Sequence, residues 1–322
     1  MSEILLLINQ MSENPTEDEK DVLVQAEAIE QALDELGWPH RKEYFNLDLH
    51  NVLTILDNNP PEIVFNLVES VAGKGALIHL CPSLLEAFGI SFTGSGAYTL
   101  AITTDKVRAK KILKEHNIPT PSWMLPGDDY RLSKDDLFII KPIWEDGSTG
   151  ITDESIVRGD FLKDARNREE LIRKGYFMEA FIQGREFNMS VIGGAKEPLV
   201  LPAAEMQYLD FPPGKPKILN YASKWDPESI EYNKTIRTFD IPEQDKSLLD
   251  KLTKISRQCW DVFEIKGYMR VDFRVDESGN PCVLEVNANP CLSPDAGFPV
   301  TCSAGGINYT KMIERIITDA RL

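Results

Sequence analysis

Between Gly267 and Asp295 the chain reads GYMRVDFRVDESGNPCVLEVNANPCLSPD, and this stretch limits the available folds more than any other. Met269, Val271, Phe273 and Val275 alternate with Tyr268, Arg270, Asp272 and Arg274, a period of two that predicts a strand. Cys282, Leu284 and Val286 alternate with Val283, Glu285 and Asn287, and the polar segment from Asp276 to Pro281 has hairpin-loop chemistry. An antiparallel hairpin with Val275 facing Cys282 sets Asp272 opposite Glu285 and Arg270 opposite Asn287 on one polar face. Two carboxylates about 5 Å apart, at an effective dielectric of about 20, repel by roughly 3 kcal/mol, so something is expected between them. Asp, Glu and Asn are hard oxygen ligands that suit Mg²⁺ better than Zn²⁺, and Mg²⁺ commonly also holds substrate phosphates. The alternative is a solvated polar face without an ion, which is ordinary for a sheet.

The rest of the chain surrounds this hairpin with α/β patterning. Ile4 to Ile8 predicts a buried strand; a polar loop from Asn9 to Glu19 comes next, then a helix over Val22 to Leu36 stopped by Gly37. Ile63 to Leu67 is a second buried strand, Leu77 to Phe88 a helix, and Ile90 to Thr93 a short strand before the turn Gly94-Ser95-Gly96. Residues 1–104 therefore read as one parallel-sheet α/β domain. Asp105 to His116 is a basic helix, and Leu137 to Lys141 a strand that delivers a lysine into a loop with Gly147-Ser148-Thr149-Gly150. A lysine followed by hydroxyl and backbone donors on a flexible loop suits a nucleotide phosphate, although the P-loop order is absent and a plain surface loop is the competing reading. Apolar residues around Glu179 and Glu186, on strands from Tyr176 to Ile182 and Phe187 to Ile192, could sandwich an adenine while the acids hold its amino group and ribose hydroxyls; both acids could equally be sheet-edge charges. The proline-containing polar stretch from Ala203 to Asp240 predicts a lid carrying Lys224, Ser247 to Val262 an amphipathic helix, and Tyr309 to Ile317 a closing helix.

A net charge of −16 argues against a nucleic acid or an anionic membrane as the main partner, so a polyanionic ligand needs a local basic pocket. Five cysteines, without metal-type spacing, predict reduced thiols and a cytoplasmic protein. Four scattered histidines argue against a histidine-based zinc or triad site.

The ordered set of a strand lysine with a Gly-Ser loop, Met178-Glu-Ala-Phe-Ile182, Arg270-Val-Asp-Phe273 and Leu284-Glu-Val-Asn-Ala-Asn-Pro290 resembles the ATP-grasp superfamily, and within it the D-alanine-D-alanine ligase-like group. The likeness runs from Val64-Phe65-Asn66 and Phe92 to Gly96, through Asp105-Lys106-Val-Arg108 and Pro119-Thr-Pro121, to Ala304-Gly305-Gly306. It implies an ATP-grasp fold with a central α+β subdomain over 105–184, a C-terminal subdomain over 185–322, and ATP with Mg²⁺, or Mn²⁺ in its place. Lys106 and Lys141 would contact ATP phosphates, Ser148 would close over them, and Lys224 would reach the γ-phosphate. Glu179, Phe181 and Ile182 would line the adenine slot and Glu186 the ribose. Asp272, Glu285 and Asn287 would hold the metal, and Arg270 would stabilise an acyl-phosphate and a tetrahedral intermediate.

The resemblance also implies an ADP-forming ligation of a carboxylate to an amine, between small molecules, in a group often found as homodimers. Departures lie at the substrate end. The first-strand signature is reduced to Glu19, Val68-Glu69-Ser70 stands where a Leu-His-Gly run is usual, Cys291 replaces a glycine, and Ala296 a serine. D-Alanine specificity is therefore not expected, with Glu19, Glu69, Cys291 and Ala296 as the substrate positions. Cys291 has no histidine placed by sequence to activate it and reads as a packing residue. Competing readings are another acyl acceptor, a thiol or hydroxyl, and a nucleotide-binding protein without ligation, which would not need Arg270.

Overall fold

Ile4–Asn9 (β1) is buried along its whole length and forms the middle of a parallel sheet between His40–Phe45 (β2) and Ile63–Leu67 (β3). A strand apolar on both faces needs helices on both sides. Ile4, Leu6 and Ile8 meet Val22, Ala26, Ile29 and Leu33 of the helix Glu17–Leu36 (α1), while Leu5 and Leu7 meet Leu49–Asn58 (α2) and Leu80–Ala87 (α3). The computed structural model describes residues 3–128, 132–194 and 197–321.

α1 starts more than a turn before the predicted Val22, because Thr16 and Glu19 form a capping box; Gly37 ends it in the left-handed conformation at φ 68°. The predicted strand Ile90 to Thr93 is reduced to one parallel bridge between Phe92 and Val64. Two helices come next, Ala97–Thr104 (α4) and Lys106–Glu115 (α5), the second capped by the Asp105 carboxylate, which accepts from Arg108 N.

Trp123–Met124 (β4), Leu137–Pro142 (β5), Ile156–Arg158 (β6) and Tyr176–Ala180 (β7) form an antiparallel sheet in the order β4-β7-β5-β6, with the helix Ala165–Lys174 (α6) packed on it through Leu171. A second antiparallel sheet contains Arg185–Ile192 (β8), Leu199–Val200 (β9), Ala204–Tyr208 (β10), Thr235–Thr238 (β11), Tyr268–Val275 (β12) and Pro281–Asn287 (β13). Its order is β11-β10-β8-β12-β13, with β9 paired to the end of β8. Two of these strands lie inside the predicted lid, which also carries the short helices Ala222–Trp225 (α7) and Ile230–Lys234 (α8). Strands this short, with Glu205 and Gln207 between the inward residues, leave little periodicity to read.

The hairpin pairs Arg270 with Asn287 and Asp272 with Glu285, as counted from the sequence. Beyond Asp272 the register slips by one at a bulge, so Val275 faces Pro281, not Cys282, and Arg274 faces Cys282. Leu284 is the extra residue, and both it and Glu285 line the same cleft.

Lys246–Val262 (α9) covers this sheet through Leu248, Leu252, Ile255 and Cys259. After the hairpin come Gly297–Ala304 (α10) and Tyr309–Asp319 (α11). Met312, Ile313, Ile316 and Ile317 of α11 join Ile29 and Leu33 of α1 in one core, so the last helix completes the packing of the first sheet. Among the described residues no helix is long and apolar enough to cross a membrane.

Candidate active site

Lys106 and Lys110 sit one turn apart on α5, both buried. Lys141 of β5 donates to Glu179 Oε1 at 2.7 Å, and Lys110 makes an ion pair with Glu179 Oε2 and donates to Thr120 Oγ1 at 2.8 Å. The side chains of Glu179 and Lys110 are each 1% exposed. Burial opposes the charge of Glu179, but Lys110 and then Lys141 hold the carboxyl below its ordinary range. Glu179 lines the cleft with Phe181 and Ile182, but both of its oxygens are engaged by ammonium groups, so that it holds Lys141 there and presents no free acid.

The cleft has an apolar end. Phe181 and Ile182, in the link between β7 and β8, line it together with Ile139, Ile218, Leu219 and Leu284. The Arg274 guanidinium lies 5.8 Å from the centre of the Phe181 ring. Glu186 at the start of β8 accepts from Tyr208 Oη at 2.6 Å and pairs with Arg274 at 3.1 Å.

The glycine-rich loop closes the cleft from the other side. Gly147 and Gly150 have φ of 66° and 74°, and Ser148 between them has φ 65°, a conformation uncommon for a residue with a side chain. Ser148 Oγ donates to Leu219 O at 2.7 Å, Trp225 Nε1 donates to Gly147 O at 3.1 Å, and Tyr221 N donates to Ile151 O at 3.0 Å. Tyr221 Oη in turn reaches Asp18 of α1 at 3.1 Å. Loop, lid and first helix are thereby stitched together. Lys106 donates to Asp146 Oδ1 at 2.7 Å and to Glu145 O at 2.8 Å; although burial disfavours its charge, Asp146 and Glu285 hold its pKa above the ordinary value. Lys224 of α7 also lines the cleft, its pKa lowered by burial and by Arg270 against the pull of Asp272 and Glu285.

On the hairpin, Asp272 accepts from Arg270 Nε at 2.7 Å, Arg270 Nη2 at 2.8 Å and Asn188 Nδ2 at 2.8 Å. Glu285 lies 3.8 Å from Lys106 Nζ, and burial, with Asp146 beside it, raises its pKa. Arg270 and Lys106 therefore offset part of the repulsion expected between the two acids. Among the described residues no three His, Cys, Asp or Glu side chains form a metal-type cluster. Asn287 would add a third protein oxygen, and its Oδ1 also accepts from Asn289 N at 2.9 Å. Two carboxylates and an amide on adjacent strands are hard oxygen donors of the kind a divalent cation would take.

At the substrate end the structure turns Glu19 away from the cleft: its carboxylate accepts from Thr16 N at 3.2 Å and Ser12 Oγ at 2.7 Å. A helix begun earlier presents a different stripe, Asp18, Asp21 and Gln25. Asp21 accepts from Cys291 Sγ at 2.9 Å and Ser293 Oγ at 2.7 Å, and Gln25 bridges Glu69 Oε1 at 2.9 Å to Leu292 N at 2.8 Å. Burial, then Asp21, raises the Glu69 pKa to about 7 against the Gln25 hydrogen bond. Burial, Glu69 and Asp21 raise that of Cys291, keeping it a thiol. Ala296 is the N-cap of α10. Sequence reasoning missed Lys110, Asp146, Asp21, Gln25 and Arg274. Lys110 could have been found as the residue one turn beyond Lys106, and the α1 stripe from the capping box; Arg274 carried no signal beyond its place on a polar face.

Residues 137–318, more than half of the chain, match the family described as D-ala D-ala ligase C-terminus. D-alanine--D-alanine ligases of Methylacidiphilum infernorum (isolate V4) and Synechococcus sp. (strain JA-3-3Ab) are each 27% identical to it, over 94% and 92% of this chain and 91% and 88% of their own. The crystal structure of D-alanine--D-alanine ligase from Bacillus anthracis complexed with ATP is similar with a TM-score of 0.76, at 20% identity, over 100% of this chain and 98% of that one. The D-alanine-D-alanine ligase from Coxiella burnetii is similar with a TM-score of 0.72, at 15% identity, over 99% of this chain and 95% of that one. The fold is the ATP-grasp fold.

Proposed function

This chain belongs to the D-Ala-D-Ala ligase family and with it to the ATP-dependent, ADP-forming ligases, and we propose that it joins the carboxylate of an amino acid or other small acid to an amine through an acyl-phosphate. The observation that carries this reading is one cleft in which Lys106, Lys141, Lys224 and Arg270 stand around Asp272, Glu285 and Asn287, with an apolar slot at its far end.

In the first step a carboxylate oxygen of the acid attacks the γ-phosphorus, the bond to the bridging oxygen breaks, and ADP leaves. Lys106 and Lys141 supply positive charge along the phosphates and Lys224 at the γ-phosphate, which lowers the repulsion between two anions that must meet. Asp272, Glu285 and Asn287 would hold Mg²⁺, or Mn²⁺ in its place, which when bound neutralises phosphate charge. Phe181 and Ile182 offer apolar surface to the base, and Glu186 an acceptor to ribose hydroxyls. Ser148 holds the glycine-rich loop over the phosphates and keeps water out.

In the second step the neutral amine nitrogen attacks the acyl carbon, Arg270 stabilises the oxyanion that forms, the carbon-oxygen bond to phosphate breaks, and phosphate and one proton from the nitrogen depart to leave the amide. No covalent enzyme intermediate is needed, and Cys291, held as a hydrogen-bonded thiol, supports a packing role. With Glu19 engaged in its cap, Asp21 and Glu69 are the acids left to meet a substrate ammonium. Substitution at Cys291 and Ala296 supports a substrate other than D-alanine. Five unpaired cysteines support a reducing compartment, the cytoplasm.

The test is phosphate release from ATP and Mg²⁺ with pooled D- and L-amino acids, small acids and peptides, followed by mass spectrometry. A product equal to two substrates less one water is expected. ATP binding without release across acids paired with amines, thiols and hydroxyls would sink the ligation reading.

A further inference from the structure

Arg274 has no part in the ligation scheme, yet it stands on the same strand face as groups that do. Along β12 the residues Arg270, Asp272 and Arg274 fall on every second position, and all three line the cleft. In the ladder between β8 and β12, Arg274 lies opposite Glu186 as Asp272 lies opposite Asn188. One strand therefore carries Arg270 and Asp272 toward the reacting end and, two residues on, a second arginine toward the apolar slot.

Arg274 is 4% exposed, and a guanidinium so deeply buried is costly unless acceptors surround it. Its acceptors come from three separate segments. Nη1 donates to Gly184 O, in the link between β7 and β8, at 3.0 Å; Nη2 donates to Lys217 O in the lid and pairs with Glu186 Oε2 at 3.1 Å. A planar fork can serve acceptors spread in this way, whereas an ammonium is a single point of charge. Tyr208 Oη donates to the same Glu186 Oε2 at 2.6 Å. Both donors thus take one oxygen of the carboxylate, and Oε1 is the oxygen left for the cleft that Glu186 lines.

The lid is tied a second time close by. Ser148 Oγ holds Leu219 O, two residues beyond Lys217, and Ile218 and Leu219 line the slot. Ser148 secures this strap from the glycine-rich loop and Arg274 secures it from β12. The arginine therefore fixes at once a wall of the slot and the acid beside it.

We propose that Arg274 is a positioning residue for the nucleotide: by holding Glu186 Oε2 and the lid at Lys217, it aims Glu186 Oε1 at the ribose hydroxyls. Recognition of the sugar then depends on Arg274 acting through Glu186. This rests on the nucleotide part of the proposed function and not on the ligation.

The test needs no turnover. The full chain, with Mg²⁺, is titrated calorimetrically with ADP, 2′-deoxy-ADP and 3′-deoxy-ADP. The unaltered protein is expected to bind ADP about 10- to 100-fold more tightly than at least one deoxy form, the range for losing a hydrogen bond to a charged group. Arg274→Met is expected to bring that ratio close to unity. Arg274→Lys is expected to give an intermediate ratio, because an ammonium can pair with Glu186 but cannot hold the lid as well. An arginine that only staples the fold would weaken every nucleotide alike and leave the ratio as it was, which would overturn the proposal. Where Arg274→Met does not fold, an unchanged ratio in Arg274→Lys overturns it in the same way. ADP and both deoxy forms binding alike to the unaltered protein would also overturn it. Failure of all of them to bind would remove the nucleotide reading together with the proposal. Arg274-dependent discrimination without phosphate release in any pool would uphold the positioning role and remove the ligation alone.

Discussion

Ser148 Oγ donates a hydrogen bond to the backbone carbonyl of Leu219 at 2.7 Å, joining the glycine-rich loop to the segment that crosses the cleft. The serine holds a left-handed backbone, φ 65°, at which its side chain can reach across. A loop pinned in this way stays over the cleft without a ligand to order it.

Ser148→Ala should therefore loosen the cover more than the fold. One hydrogen bond contributes about 1 kcal/mol, so KM for ATP is expected to rise about fivefold, with the denaturation midpoint almost unmoved. Steady-state phosphate release checks it, and an unchanged KM would show that the bond holds nothing over the nucleotide.

Glu179 between Lys110 and Lys141 is the most consequential buried charge near the cleft. Glu179→Gln leaves two ammonium groups facing each other in a dry site and should destabilise the protein by about 3–5 kcal/mol. Lys110→Met should be milder, since Lys141 still pairs with the acid. Urea denaturation of both variants is the measurement; a loss under about 1 kcal/mol for Glu179→Gln would mean that water reaches the network.

Glu69 has a pKa near 7 in the folded protein against 4.5 for the free side chain. An acid whose pKa is raised binds its proton more tightly folded than unfolded, so stability falls as pH rises from about 4.5 through about 7 and levels off above. Glu69→Gln should flatten that part of the curve. Denaturation midpoints from pH 4.5 to 8 for the two proteins decide it, and parallel curves would place the titration elsewhere.

Gly184 has φ 144°, and a Cβ there would overlap the carbonyl of Val275. Gly184→Ala must push the link between β7 and β8 off the β12 strand, moving Phe181 and Glu186 together. A lower melting temperature and weaker ATP-analogue binding are expected jointly; one without the other would show that the link moves independently of the slot.

Removal of divalent metal with a chelator should abolish phosphate release, and Asp272→Asn should raise the Mg²⁺ concentration needed for half-maximal rate about tenfold or more. Activity at ordinary Mg²⁺ in both Asp272→Asn and Glu285→Gln would falsify the assigned donor set.

Most of the longer elements and much of the hairpin were legible in the sequence, whereas β10 and β11 were not. Alternation over Tyr268–Val275 is a property of neighbouring residues on one strand, and counting back from the loop placed Asp272 against Glu285, where the structure has them. The order of lysine, glycine-rich loop and acids was legible for the same reason, since each motif lies within a few residues of chain. Tertiary structure decided which of those groups are free. Glu19 reads as an available acid until Thr16 and Ser12 take it, and Glu179 until α5 and β5 bring two lysines against it. The bulge at Leu284 was invisible because an apolar residue fits either face of a strand, and only the opposing chain fixes which it takes. Whether a charge is neutralised is a matter of distances across elements, and adjacent sequence carries no record of them.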